Sequence, residues 1–163
     1  MIMAAKPPKT LLDWLYERRD RQRTQRAKGA WLVKGKDLPW EENGQGRMQW
    51  YLHPALEDRA IRSMLFFRQE IPPGGSSGAQ KTPGGQVIYI AQGRGYTTLD
   101  GVRHDWEAED VINVPIRSDG VVMQHFNRDR RASVVLLCAD LNLGDMLGLD
   151  RGSALEQIER APE

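Results

Sequence analysis

Cysteine is almost absent from this chain of 163 residues, which contains only Cys138. A single cysteine excludes an internal disulfide, and the apolar run at 134–139 around it predicts a buried, unreactive thiol.

The chain also lacks any apolar run close to the ~20 residues that a membrane-spanning helix needs. Its first ten residues contain no apolar stretch followed by a cleavage site, so we predict no secretory signal and expect a cytoplasmic protein.

An excess of charge of one sign is also missing, since 23 basic residues face 22 acidic ones and the formal net charge is +1. Proteins that bind nucleic acid or membranes by electrostatics normally carry a strongly basic face. The basic residues at 18–28 are opposed only by Asp20 and have no interleaved aromatic residues. We interpret them as the solvated end of a helix, with a nucleic-acid patch as the alternative. The expected partners therefore include neither nucleic acid nor a membrane.

The first segment, 1–29, predicts a helical arm. Thr10 and Asp13 have the spacing of a capping box at a helix start. We expect this helix to run to about Ala27 and to stop near Gly29, because glycine commonly follows the last helical turn.

The remainder of the chain consists mostly of short apolar runs separated by glycine, proline and aspartate. The strand-like runs are 64–71, 86–91, 96–99, 110–115, 121–126 and 133–139. The dipeptide Asp100-Gly101 is a strong signal for a two-residue hairpin turn. This spacing predicts an antiparallel sandwich or barrel over residues 30–140. Residues 141–163 are predicted as a short helical tail that packs on the barrel.

A distinctive spacing of polar residues and glycines lies within 74–93. Gly74, Gln80, Thr82, Gln86 and Gly93 are separated as in the first motif of the cupin superfamily, which this segment resembles. In that motif Gln80, Thr82 and Gln86 stand where the family has His, His and Glu. The usual metal ligands are therefore replaced.

A second cupin-like motif follows after a gap typical of the family. Its positions are Pro115, Gly120, Met123 and Asn127, with Met123 in the place of the family's third His. Glu109 replaces the first Gly of the motif, and the loop between Pro115 and Gly120 is longer than the common pattern.

The sequence at 88–90, 93–106 and 124–127 resembles the cupin branch that contains the gentisate and hydroxynaphthoate dioxygenases. The resemblance covers 64–139 and implies a mainly β, single-domain protein. It implies a jelly-roll β-barrel, or double-stranded β-helix, with an N-terminal helix and a short C-terminal helical tail. Relatives in that branch are often double-barrelled, whereas this chain has the length of one barrel. Pairing of cupin barrels through their outer sheets further implies a homodimer.

Alternation of side chains along strands indicates which residues share the barrel interior. We expect the residues that contact a small ligand to be Gln80, Thr82, Gln86, Ile88, Met123 and Asn127. A few oriented polar groups on an apolar wall are typical of small-molecule pockets.

Transition metals prefer imidazole, thiolate or carboxylate ligands, and the four family ligand positions here provide none. We therefore expect no cofactor and no metal ligands in this pocket. The alternative is a weakly held divalent metal bound by His125 together with Gln80 or Gln86.

His125 shares a strand face with Met123 and is the predicted catalytic residue, because an imidazole can transfer protons at neutral pH. The alternative is a core histidine bonded to a backbone carbonyl. Three functions stay open. They are metal-independent binding of a small aromatic or carboxylate-bearing ligand, a ring-cleaving dioxygenase-like activity at an atypical metal site, and a non-catalytic accessory role. Whether the protein is an enzyme is left undecided.

Overall fold

A computed structural model describes residues 9–141 and 155–162, and the structural statements below refer to these residues. The protein is mainly β, with two antiparallel sheets preceded by one α-helix. Within the described ranges, no helix has both the length and the apolar character that crossing a membrane requires.

The helix α1 spans Leu11–Lys28. Thr10 Oγ1 accepts a hydrogen bond from the backbone N–H of Asp13 at 3.2 Å, and Asp13 Oδ2 accepts one from the backbone N–H of Thr10 at 2.8 Å. This is the predicted capping box, and the helix ends before Gly29 as expected. None of its residues is buried, so local capping and charge, more than core packing, define the helix.

The strands follow in the order β1 (Glu41–Asn43), β2 (Gly46–Leu52), β3 (Met64–Ile71), β4 (Ala79–Thr82), β5 (Gln86–Gln92), β6 (Arg94–Leu99), β7 (Val102–Glu107), β8 (Val111–Val114), β9 (Val121–Asn127), β10 (Val134–Leu141) and β11 (Glu156–Glu159), with a short 3-10 helix at Gly35–Asp37 before β1. The first sheet has the order β1-β2-β3-β10-β5-β8, and the second has the order β11-β4-β9-β6-β7. All the pairings between these strands are antiparallel.

The hairpin between β6 and β7 confirms the turn predicted from Asp100-Gly101. Both residues have positive φ, 50° for Asp100 and 80° for Gly101, as a type I′ turn requires. Leu99 pairs with Val102 directly across the turn. The dipeptide therefore sets the register of the whole hairpin.

The core lies between the two sheets and follows the predicted alternation. In β5, Gln86, Ile88 and Ile90 are buried, whereas Val87 and Tyr89 are exposed on the outer face. The facing sheet contributes the inward side chains of β9. The core cluster includes Ile71, Val121, Val134, Leu136 and Cys138. The predicted burial of Cys138 is confirmed, with 2% of the residue exposed.

The predicted barrel is not closed. Consecutive strands such as β5 and β6 belong to opposite sheets, and the edge strands β1, β8, β7 and β11 have one ladder partner each within the described residues. The architecture is therefore two facing sheets of a jelly-roll type. Closing them would need ladder pairs between these edge strands.

The predicted C-terminal helical tail is partly outside the described residues, which exclude 142–154 and 163. The described portion contains the strand β11, not a helix. Glu156 pairs with Lys81 and Gln157 with Gln80. The edge of β4 offers unpaired backbone donors and acceptors, and pairing with this edge explains why the segment is extended.

Candidate functional site

A cavity of about 330 Å³ lies between the sheets, next to β11 and the turn that joins β1 to β2. This volume falls within the usual range of small-molecule sites. Its apolar lining includes Met48, Trp50, Phe67, Ile88, Met123 and Leu136. Its polar lining includes Gln45, Gln69, Gln80, Gln86, His125 and Asp140.

Five of the residues predicted from the sequence line this cavity. They are Gln80 on β4, Gln86 and Ile88 on β5, and Met123 and His125 on β9. Gln80 pairs directly with Met123 in the ladder between β4 and β9, so these two positions of the cupin-like motifs are neighbours. The strand pairing therefore brings residues of both motifs to one site.

Thr82 and Asn127 do not line the cavity, which corrects the expectation that both face a ligand. Thr82 is 1% exposed and its Oγ1 accepts a hydrogen bond from Gln86 Nε2 at 3.2 Å, so it positions Gln86. Asn127 Nδ2 lies 3.1 Å from the carbonyl oxygen of Ile71 and 2.9 Å from that of Ala132. These bonds hold the loops after β3 and before β10 together.

The side-chain oxygen of Gln86 is a buried acceptor without a hydrogen-bond donor among the described residues. Gln86 Nε2 donates to Thr82 Oγ1 and to Asp140 Oδ2, each at 3.2 Å. In this arrangement the NH2 group of the Gln86 amide faces the Asp140 carboxyl group. Gln86 Oε1 is then buried, and no group in the described residues donates a hydrogen bond to it.

His125 is 4% exposed and is held by a chain of two hydrogen bonds. Trp106 Nε1 donates to Thr97 Oγ1 at 2.8 Å, and Thr97 Oγ1 lies 2.7 Å from His125 Nδ1. Because Thr97 Oγ1 already accepts a hydrogen bond from Trp106, its one hydroxyl hydrogen is available to donate to Nδ1 of His125. In that arrangement Nδ1 is the acceptor, and the proton of the neutral imidazole is on Nε2. Burial lowers the pKa of His125 to about 4, so the ring is neutral at pH 7.

Asp140 was missed by the sequence reasoning. It lies on β10, two residues after Cys138, and is 6% exposed at the cavity wall. The predicted strand ended at 139, two residues before the end of β10 at Leu141. Extending the alternation by one more inward position would have placed Asp140 beside Cys138 and Gln86.

Gln45, Trp50 and His53 also line the cavity, outside the motif positions from which the ligand contacts were predicted. Trp50 packs against Phe67 with ring centroids 4.9 Å apart, and against His53 at 5.2 Å. Gln45 Nε2 is buried and has no hydrogen-bond acceptor among the described residues. Gln45 comes from a turn, where side-chain alternation gives no signal.

Charged side chains are scarce among the lining residues that the structure describes. Among the described lining residues there is no lysine or arginine, and Asp140 is the one acidic residue. Burial and then the negative charge of Asp140 raise the pKa of the Cys138 thiol far above neutral pH. The thiol is therefore protonated and is not a nucleophile.

The donor set does not fit the metal that the cupin resemblance implies. Gln80, Gln86 and Met123 offer amide and thioether groups, which are poor ligands for iron, manganese or zinc. In the part of the chain that the structure describes, no group of three His, Cys, Asp or Glu side chains is placed to hold a metal ion. In addition, Thr97 occupies Nδ1 of His125.

Comparison with known proteins agrees with this architecture. A family model described as "Cupin domain" matches residues 67–139, which include β3 from Phe67 onward and all strands up to Ala139. This segment, 73 of the 163 residues, is similar to a cupin domain. No curated protein sequence matches the chain significantly.

Several solved structures share the fold. The polyketide cyclase RemF from Streptomyces resistomycificus is 15% identical with a TM-score of 0.59, over 79% of this chain and 85% of that chain. A predicted oxalate decarboxylase from Thermotoga maritima is 23% identical with a TM-score of 0.52, over 68% of this chain and 97% of that chain. The coconut allergen cocosin is 19% identical with a TM-score of 0.57, over 74% of this chain but 34% of that chain. At these identities the likeness concerns the fold. The relation to the gentisate and hydroxynaphthoate dioxygenase branch stays a prediction.

Proposed function

We propose that this protein binds a small organic molecule in the cavity between its sheets without a tightly bound metal ion. The supporting observation is that Gln86, at the position of the family's Glu ligand, lines the cavity and has a buried Oε1 without a donor. A buried acceptor without a partner costs about 1–3 kcal/mol. Oε1 is covered, so a ligand recovers this cost by donating a hydrogen bond to it after a small rotation of the Gln86 side chain brings Oε1 to the cavity surface.

An aromatic ligand agrees best with the apolar lining. Trp50 and Phe67 present rings on one side of the cavity, and Met48 and Met123 add flexible thioether side chains. Ring faces and thioethers both make favourable contacts with aromatic molecules. The cavity therefore offers a wall for a planar molecule and a small set of polar groups to orient it.

His125 contributes a hydrogen-bond donor in this proposal. With Nδ1 bonded to Thr97, the neutral ring has Nε2–H as its remaining polar group. A histidine with a pKa of about 4 is a weak base at neutral pH. Orientation of a ligand is therefore the role we propose for His125, and its catalytic role stays a prediction from the sequence.

The homodimer predicted from the cupin resemblance also stays a prediction. It is supported by an apolar region on the outer face of the first sheet, where Val87, Tyr89 and Val111 are 46%, 41% and 50% exposed. Exposed apolar patches often mark protein interfaces. Light scattering at micromolar concentration tests it, with twice the 18.5 kDa chain mass expected and the single chain mass contradicting the prediction.

The binding proposal is tested with 2-naphthol, a fused aromatic alcohol, by titration calorimetry on protein dialysed against a chelator and checked for metal by mass spectrometry. The wild type is expected to bind one probe molecule per chain. Gln86→Met removes the acceptor at similar volume, together with the donors to Thr82 and Asp140. It is expected to weaken binding about tenfold, mainly through loss of the hydrogen bond to the ligand.

The chain offers a matched control in Gln49, a glutamine that is 4% exposed but lies outside the cavity lining. Its Nε2 donates to the carbonyl oxygens of Gly35 and Leu38. Gln49→Met is expected to keep wild-type affinity for 2-naphthol. Absence of binding to the metal-free wild type, or equal weakening by the two substitutions, would contradict the proposal.

A further inference from the structure

A groove of about 410 Å³ lies between α1 and the segment 54–63, which precedes β3. It shares none of its described lining residues with the cavity between the sheets. Its described lining contains no aspartate or glutamate, and it contains four arginines, which are Arg18, Arg26, Arg59 and Arg62. A ligand in this groove therefore meets positive charge, independently of what binds in the cavity.

One face of the helix forms the first wall of the groove. Arg18, Gln22, Gln25 and Arg26 line it, and positions i, i+4, i+7 and i+8 lie on the same side of an α-helix. Arg18 and Arg26 are exposed, and neither guanidinium group forms an ion pair or a hydrogen bond within the described part of the chain. Eight residues correspond to about 12 Å along the helix axis. Two guanidinium groups with unused donors therefore border the same groove at this separation.

Hydrogen bonds fix the second wall and join it to the helix. Arg62 Nε donates to the carbonyl oxygen of Pro54 at 3.0 Å, and Arg62 Nη1 donates to Gln25 Oε1 at 3.0 Å. Arg59 is 9% exposed, and its Nε donates to the carbonyl oxygen of Tyr51 at 3.0 Å. The two walls are therefore held together before a ligand binds, which lowers the entropy cost of binding.

The carboxylates of α1 beyond its first turn, and those of the segment 54–63, are paired with cations other than Arg18 and Arg26. The pairs and their N–O distances are Lys9–Glu17 at 2.6 Å, Arg19–Asp20 at 2.8 Å, Arg21–Glu57 at 3.2 Å and Arg59–Asp58. These carboxylates therefore do not neutralise the two guanidinium groups. A bound anion would supply the opposite charge, through charge-assisted hydrogen bonds.

These features together indicate phosphate as the ligand chemistry. A guanidinium group matches phosphate through two parallel N–H···O bonds. A single phosphate is small compared with the separation of Arg18 and Arg26, whereas a chain of phosphates can contact both. The described lining has no aromatic residue on which the bases of a nucleic acid could stack. We infer that the groove binds a small molecule that carries a chain of two or more phosphate groups.

Titration calorimetry of the full chain with inorganic tripolyphosphate tests this inference, at neutral pH and without divalent cations. In about 150 mM salt the Debye length is about 8 Å, so charges far from the groove contribute little. The wild type is expected to bind one tripolyphosphate per chain. Arg18→Gln combined with Arg26→Gln is expected to weaken binding at least about tenfold, since two charge-assisted contacts are lost.

Arg23→Gln combined with Lys28→Gln is the matched control. Both residues are exposed cations of α1 and lie outside the described lining of the groove. The two double variants lower the net charge by the same amount, so a nonspecific attraction would weaken equally in both. The control is expected to keep its affinity within about twofold of the wild type. All four positions are exposed, so both double variants are expected to fold, as judged by circular dichroism.

Two further probes, ATP and an oligothymidylate of about ten nucleotides, distinguish the sources of phosphate. Tighter binding of ATP than of tripolyphosphate supports the inference and assigns the phosphate chain to a nucleotide. Tighter binding of tripolyphosphate supports it and assigns the site to a free polyphosphate. Tighter binding of the oligothymidylate than of either small probe overturns the inference in favour of a nucleic-acid surface. Absence of saturable binding of both small probes, or equal weakening by the two double variants, also overturns it.

Discussion

Thr97 Oγ1 lies 2.7 Å from Nδ1 of His125, and the two residues are direct partners in the ladder between β6 and β9. The same hydroxyl accepts a hydrogen bond from Trp106 Nε1 on β7. Three adjacent strands therefore fix one imidazole by side-chain bonds as well as by backbone pairing. The ring is buried, neutral and oriented before any ligand arrives.

The burial of His125 predicts a pH-dependent loss of stability. Its pKa is about 4 in the folded state against 6.5 for the ordinary value, so the unfolded chain binds more protons between these two pH values. Stability is therefore complete above about pH 6.5 and is lost as the pH falls toward 4. From pH 7 to pH 4.5 the expected loss from this residue is about 2–3 kcal/mol.

Urea denaturation of the wild type and of His125→Gln at both pH values measures this loss. Glutamine does not titrate. Between pH 7 and pH 4.5 the free energy of unfolding of His125→Gln should therefore fall by about 2–3 kcal/mol less than that of the wild type. His104→Gln is the control, because His104 is exposed on β7. The account is wrong if His125→Gln and the wild type lose equal stability.

Removing the hydroxyl group of Thr97 is expected to destabilise the protein more than removing its methyl group. Thr97→Val leaves the donor of Trp106 and Nδ1 of His125 unpaired, at a cost of about 2–3 kcal/mol. Thr97→Ser keeps the hydroxyl and should cost less than about 1.5 kcal/mol. Thermal denaturation gives the ranking, and nitrogen-15 NMR of the wild-type histidine should show Nε2 protonated. Equal destabilisation by the two substitutions would contradict the hydrogen-bond chain.

Local sequence signals were sufficient for much of the fold. The capping box at Thr10 and the turn at Asp100-Gly101 depend on contacts within a few residues, and both are present as predicted. Alternation in β5 and β9 likewise predicted which side chains are buried. These features are encoded by neighbouring residues, so a single sequence is enough to locate them.

Features that depend on distant segments were missed or were wrong. The strand β11 pairs with β4, and Gln157 Nε2 donates to the carbonyl oxygen of Gly44, 113 residues away in the chain. No local pattern indicates such a contact, which explains the incorrect helical prediction for the described end of the tail. The open edges of the two sheets have the same explanation, since closure depends on which edge strands meet.

The spacing of the cupin-like motifs predicted that their polar residues meet inside the fold, whereas their contact with a ligand stays a prediction. Gln80, Gln86, Met123 and His125 reach one cavity because strand pairing brings their inward faces together. The spacing did not distinguish a lining residue from a buried supporting one. Asn127 is an example, because it lies on the same buried face of β9 as Met123 and His125 while its side chain bonds to loop carbonyls outside the cavity.

Asn127 is expected to act on stability and not on ligand binding. Asn127→Ala removes the NH2 group whose nitrogen lies within hydrogen-bonding distance of three carbonyl oxygens, and it should lower the free energy of unfolding by about 2–4 kcal/mol. Asn113→Ala, at an exposed position on β8, should change it by less than about 0.5 kcal/mol. Affinity for 2-naphthol, measured where both variants are folded, should match the wild type. Selective loss of affinity in Asn127→Ala would restore the ligand-contact hypothesis.

Restoring imidazoles at two of the motif positions is expected to create metal binding. Gln80 and Met123 are direct ladder partners, and side chains at such positions are about 5 Å apart at Cβ. The double substitution Gln80→His and Met123→His should therefore bind Zn²⁺ through both rings, with at least about tenfold higher affinity than either single substitution. Calorimetric titration with Zn²⁺ compares the three. Tight Zn²⁺ binding by the wild type would contradict the claim that the amide and thioether groups of the cavity are poor metal ligands.

The most direct test of metal-independent binding is a crystal structure of the protein soaked with 2-naphthol, with anomalous data collected for transition metals. The account predicts density for the ring between Trp50 and Met123, with its hydroxyl within hydrogen-bonding distance of Gln86 Oε1. It also predicts no anomalous peak in the cavity. A metal ion bound among Gln80, Gln86 and His125, or a cavity without the probe, would contradict it.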